Sequence, residues 1–153
     1  MNPDVRKTAE AALMTEFSQL EDLDVYKALD PTTLMRAQKK SALRAINIFK
    51  EKRCGKLKGR TCADERSQRN MYDKSQTASP TVATNALTLS IIINAFEDRD
   101  VATADVAGAY LKAFMDDFVI MKFVGPSICI LCNLNPTHKR CVTTENGVEV
   151  LYV

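Results

Sequence analysis

Thr103-Ala104-Asp105-Val106-Ala107-Gly108-Ala109-Tyr110-Leu111 is where the chemistry of this chain concentrates. A lone carboxylate, Asp105, closes an apolar segment. Small residues then turn the chain, and an aromatic follows five residues on. A carboxylate at a strand end can hold Mg²⁺, because the strand fixes the oxygen and the turn leaves the metal open to phosphate. The same residue is more often the N-cap of the helix that follows. On these residues alone both readings stand.

The flanks build an α+β pattern. Upstream, Ser79-Pro80 reads as an N-cap with proline at the first helical position. Val82, Ala86, Leu89, Ile93 and Phe96 then recur at helical spacing. Arg99-Asp100 turns this helix into a strand over 101–106. Downstream come a short helical piece over 108–114 and a strand over 118–123, ended by Gly125-Pro126. Residues 141–153 predict a hairpin about Asn146-Gly147, a two-residue type I′ signal.

Toward the N-terminus, Ala9, Leu13, Phe17 and Leu20 mark one side of a helix over 3–20. An acidic connector ends at Asp30-Pro31. Thr32 or Thr33 can cap a second helix running to about residue 50, with Met35, Ala42, Ile46 and Phe49 on its buried side. Arg36, Lys40 and Arg44 form a cationic stripe on that helix, with Lys39 beside them. Gly55 and Gly59 bracket a switch of period. Lys56-Leu57-Lys58-Gly59-Arg60-Thr61-Cys62-Ala63 alternates as an exposed strand with cations on one face.

Charge is unevenly spread. The net charge is only +2, yet residues 36–69 carry twelve Lys/Arg against three Asp/Glu, a balance of +9 between two acidic flanks. Such a block is a footprint for a polyanion, nucleic-acid phosphate above all. The plain alternative is a solvated, self-repelling surface. Hydrophobic residues at 46% and charged residues at 26% exclude a disordered or collagen-like chain. Five glycines and no Trp argue against a tight all-β sandwich. No apolar run is long enough for a membrane span, and the N-terminus has no secretory core, so an intracellular, cytoplasmic setting is expected. Five cysteines, an odd count, then read as reduced thiols. Cys129, Cys132, His138 and Cys141 have ligand types suited to Zn²⁺, but the two-residue gap from His138 to Cys141 is tight for a finger. Apolar neighbours Ile128, Ile130 and Leu131 make plain strand cysteines the competing reading.

Several of these pieces, taken in order, resemble the reverse transcriptase of copia-type retrotransposons. The similarity begins near Lys50, with Lys56-Leu57-Lys58-Gly59-Arg60 and Gln68-Arg69, and continues through Ala78-Ser79-Pro80-Thr81-Val82 and the long helix. It peaks at Arg99-Asp100-Val101-Ala102 and the Thr103–Leu111 stretch, and runs to Met121-Lys122. No single piece is diagnostic; the ordered series over about 75 residues carries the resemblance.

The resemblance implies that the basic block is fingers and that the strand ending at Asp105 is the first catalytic motif of the palm. It implies metal contacts from the Asp105 carboxylate and the Val106 carbonyl, with Mg²⁺ as cofactor. Tyr110 would pack under the deoxyribose and reject a 2′-hydroxyl. Lys58 and Arg60 would grip the triphosphate of the incoming deoxynucleotide. RNA template and DNA primer are the partners the resemblance implies; the contacts expected from Arg36, Lys39, Lys40, Arg44 and Lys56 rest on the positive charge of the block. The reaction implied is nucleotidyl transfer by two Mg²⁺. Other parts of the Pol polyprotein would be partners, and no membrane is involved.

The sequence departs from the family in places. Glu65 stands where glycine is preferred, which alters the fingers turn. After Gly125-Pro126 the chain jumps to Asn133–Val142, which resembles sequence before the second catalytic motif. Leu151-Tyr152-Val153 resembles the opening of Tyr-x-Asp-Asp. An internally deleted, truncated copy without activity is therefore expected. Phe114-Met115-Asp116-Asp117 imitates the missing motif, but lies only 11 residues after Asp105 and reads as a solvated loop.

The expected architecture is thus α+β, a partial fingers–palm. An N-terminal helix and acidic connector would occupy 1–31, fingers 32–78 and a partial palm 79–153. Two other functions remain open: a non-enzymatic nucleic-acid-binding remnant, and a small zinc-binding module at 129–141.

Overall fold

The computed structural model describes residues 3–64, 66, 81–113, 115 and 117–153. The Ser79-Pro80 cap, Gln68-Arg69, Glu65, Phe114 and Asp116 lie outside the described residues. The chain is α+β and forms two compact units, one of residues 1–67 with 110–153 and one of residues 68–109. The N-terminal helix, expected in a segment of its own, shares the first unit with the basic hairpin.

In the first unit, α1 (Pro3–Asp22) precedes a short α2 (Arg36–Ser41), then β1 (Leu43–Glu51) and β2 (Leu57–Ala63). After residue 110 come β3 (Met121–Val124), a second helix of the core, a 3₁₀ turn over Pro136–Cys141, and the hairpin β4 (Val142–Glu145) and β5 (Val148–Tyr152). The strands make one sheet in the order β2-β1-β3-β5-β4. Only β1 and β3 run parallel, and they pair at just Leu43–Met121 and Arg44–Lys122.

The helical pattern of the N-terminus holds. Leu13 and Phe17 of α1 are buried on one sheet face, and Phe17 meets Phe123 edge-on at 5.8 Å between ring centroids. Ile128, Leu131, Leu151 and Val153 complete that core. Each such fully buried side chain contributes about 1.5–3 kcal/mol. On the opposite face Ile120, Val150 and Tyr152 are covered by Leu29, Leu34 and Ala42. The β4–β5 turn is also as expected: Asn146 and Gly147 both take positive φ, 50° and 79°, as a type I′ turn requires.

Five elements differ from expectation. The helix over 32–50 is instead α2 followed by β1, broken where Ala42 turns extended (φ −59°, ψ 131°). Leu43, Ile46, Ile48 and Phe49 suit either period; seven residue pairs with β2 select the strand. The stripe of Arg36, Lys40 and Arg44 is therefore not a helical stripe, since Arg44 lies on β1. Residues 101–106 form no strand: they are exposed and pair with nothing in a sheet. Ala102 and Ala104 contribute little β preference to hold them extended alone. The strand expected over 118–123 begins only at Met121, and the helical piece over 108–114 is a single 3₁₀ turn, Ala109–Lys112. Finally, Gly125-Pro126 ends a strand and also starts a helix.

The second unit contains α3 (Thr84–Phe96), whose apolar residues Leu89, Ile92 and Phe96 are exposed. The core helix of the first unit is α4 (Pro126–Leu134), with proline in its first turn, Gly125 at the N-cap with φ 68°, and buried Ile128, Ile130 and Leu131. Cys129 and Cys132 are helical residues, contrary to the strand reading.

Candidate nucleic-acid interface

The β1–β2 hairpin carries the basic block. Its turn is closed by the Lys52 N–H donating to the Lys56 carbonyl (2.8 Å) and the Gly55 N–H donating to the Lys52 carbonyl (2.9 Å). Gly55 has φ 76°, a conformation glycine adopts without steric cost. Along β2 the side chains alternate as the sequence predicts. Gly59 is buried and Leu57, Thr61 and Ala63 half-buried, while Lys58, Arg60 and Cys62 face solvent.

Pairing sets the composition of the outer face. Lys50 stands opposite Lys58, and Ile48 opposite Arg60. Directly paired residues share a face, so Lys50, Lys58, Arg60 and an exposed Ile48 form one surface. Like charges in a direct cross-strand pair cost up to about 1 kcal/mol. The inner face is tied down. The Thr61 hydroxyl donates to Asn47 Oδ1 (3.0 Å), and Asn47 Nδ2 donates to the Ser127 Oγ at the start of α4 (2.7 Å). At the base, the Asp64 N–H donates to the Arg44 carbonyl (2.8 Å). Arg66 grips the Asp64 side chain and draws its carboxyl down to about 2.

The other expected contact residues are dispersed. Arg36 and Lys40 are exposed on α2, Arg44 on β1 and Lys56 in the hairpin turn. Lys39 is half-buried, with its Nζ 3.9 Å from Glu145 Oε1 and 6.0 Å from the Tyr152 ring centre. It belongs to a cluster the sequence did not flag. There Lys122 Nζ donates to Glu145 Oε2 (2.9 Å), and the Tyr152 hydroxyl donates to the same carboxylate (2.9 Å). Lys122 holds the Glu145 carboxyl below its usual range; Glu145 raises Lys122 in return. Burial, then Glu145, pushes the Tyr152 phenol up. A Lys, a Glu and a Tyr spread over 31 positions leave no local motif; the β3–β5 and β4–β5 pairings together gather them.

Asp105 and Val106 are exposed residues of the unit 68–109, whereas Lys58, Arg60 and Tyr110 belong to the other. Tyr110 is 89% exposed on its 3₁₀ turn. Among the described residues no three His, Cys, Asp or Glu side chains converge as a metal site. A Mg²⁺ clamp takes several fixed oxygens, and Asp105 with the Val106 carbonyl does not by itself make one.

The same holds for the cysteine set. Cys129 is exposed and Cys132 buried on α4, and Cys141 ends the 3₁₀ turn. Burial pushes the Cys132 thiol up. His138 is buried and turned away to Glu21 of α1, Nε2 to Oε1 2.7 Å.

No helix among the described residues is long and apolar enough to cross a membrane. Compared with known proteins, the chain matches no family model, no curated protein and no solved structure.

Proposed function

We propose that the chain is part of an RNA-directed DNA polymerase of the copia-type retrotransposon kind, and that its β1–β2 hairpin is a fingers element gripping nucleic acid. The observation that carries this reading is the outer face of the hairpin, where Lys50 is paired directly with Lys58 beside Arg60. A fold that sets like charges side by side gains from a polyanion that neutralises them. The resemblance running from Lys56 through Leu111 supplies the polymerase class; nucleotidyl transfer would belong to the intact enzyme.

A second reading, a nucleic-acid binder without catalysis, is favoured by one feature. The cationic face of Lys50, Lys58 and Arg60 is built by the hairpin alone and uses neither Asp105 nor Tyr110.

The test is a primed RNA template offered with deoxynucleotides and Mg²⁺ or Mn²⁺, with binding and extension measured together. Binding without extension is expected. Extension abolished by Asp105→Asn would exclude the binder reading, and failure to bind at low salt would overturn both.

A further inference from the structure

Among the described residues, strand β1 pairs with β2 from Ala45 to Glu51 on one side and with β3 only at Leu43 and Arg44 on the other. Its even-numbered residues turn their backbone groups to β2, as the Arg44 carbonyl and Lys52 N–H bonds require. The Leu43 N–H donates the opposite way, to the Ile120 carbonyl at 2.9 Å. Backbone groups alternate along a strand, so the odd-numbered residues face away from β2. Pairing with β3 stops at Arg44–Lys122. Among the described residues, Asn47, Phe49 and Glu51 therefore turn N–H and C=O groups to an edge that no backbone bond to another element occupies.

The edge borders a cleft of about 830 Å³ between α1 and the start of α4, lined by apolar residues such as Leu13, Phe49 and Ile130 and by the charged Arg6, Glu10, Arg44 and Arg66. An unpaired edge beside a largely apolar cleft with a cationic excess is the geometry of strand addition, in which main-chain bonds hold the guest and alternate side chains fill the cleft.

Charge selects the occupant. Residues 44–60 hold Arg44, Lys50, Lys52, Arg53, Lys56, Lys58 and Arg60 against Glu51 alone. A second copy is disfavoured, because pairing β1 antiparallel with itself about Ile48 would set Arg44 opposite Lys52 at both ends. We propose that the open edge of β1 accepts an extended acidic segment of a partner protein as an added strand. Its alternate apolar residues enter the cleft, and its carboxylates lie on the face of Arg44 and Lys50. This site is independent of the polymerase reading, since it uses the backbone edge of the hairpin.

The experiment uses the full chain and a labelled, end-capped peptide alternating Val and Asp, followed by fluorescence anisotropy. Methylating alternate backbone nitrogens of the peptide removes its donors and keeps its charge; binding is expected to weaken about tenfold or more. Phe49→Pro, whose N–H faces the open edge, should weaken it similarly while leaving the β2 ladder intact. A Val–Lys peptide should not bind. If Phe49→Pro unfolds the chain, as judged by circular dichroism, the methylated peptide decides alone. Binding insensitive to methylation, or none at low salt, would overturn the proposal. So would an oligonucleotide that binds this chain while the peptide does not.

Discussion

Gly59 of β2 lies directly under the backbone of Ala12 in α1: a Cβ at Gly59 would stand 3.1 Å from the Ala12 carbonyl oxygen. The obstacle is backbone, which yields less readily than a side chain. Gly59→Ala should therefore force α1 away from β2 and lower stability by about 1–3 kcal/mol, with Gly59→Val worse. Urea unfolding measures this, and an unchanged midpoint in both variants would show that α1 does not rest on β2.

Glu145 is held by Lys122, Tyr152 and Lys39 in a partly open site. Its lowered pKa gives stability that is present above its ordinary value of 4.5 and lost as the pH falls through the folded value. Lys122, raised in pKa, contributes below its ordinary 10.5, and that contribution is lost as the pH rises through its folded value. Glu145→Gln should cost about 0.5–1 kcal/mol at neutral pH, since solvent screens the pair, and less at either extreme. Thermal melts across the pH range check the shape; a constant deficit would count against the linkage.

Glu21 accepts hydrogen bonds from the Tyr26 hydroxyl, His138 Nε2 and Asn135 Nδ2. Burial acts to raise its carboxyl, but these donors outweigh it and hold the pKa below 4.5. Burial, then the adjacent carboxylate, drives the Tyr26 phenol far up. The stability contributed by Glu21 is present above pH 4.5 and falls away as acid protonates it in the folded state. Glu21→Ala should destabilise by about 1–3 kcal/mol at neutral pH by leaving the buried His138 and the half-buried Tyr26 and Asn135 without their acceptor. It should also flatten the acid limb of the stability profile. An acid limb as steep as that of the parent chain would remove Glu21 from its cause.

The outer face of β1–β2 should separate stability from binding. Lys58→Gln relieves the pair with Lys50 and should raise stability by a few tenths to about 1 kcal/mol. With about 4 to 6 phosphates contacted, the parent chain should show a log–log salt slope of roughly −3 to −5 on duplex. Replacing Lys50, Lys58 and Arg60 together by Gln should make that slope shallower by about 2 to 3. The loss should be alike on every sequence. A triple variant that binds with the parent slope would move the interface elsewhere.

Local patterns were enough for part of this molecule. Ala9, Leu13, Phe17 and Leu20 specified the buried side of α1 because helical spacing alone aligns them. Asn146-Gly147 specified its turn because few other residue pairs take two positive φ values. The alternation of Leu57 to Ala63 already put Lys58 and Arg60 on one face. Tertiary structure decided the rest. Residues 43–51 could be helix or strand by composition, and only pairing with β2 made them a strand and put Lys50 beside Lys58. Residues 126–134 became a helix because Ile128, Ile130 and Leu131 could all be buried in the core. The union of Glu21 with His138 across 117 positions, and the open edge left where β1 parts from β3, have no local signal. Both depend on which distant segments meet, and neighbouring residues do not encode that distance.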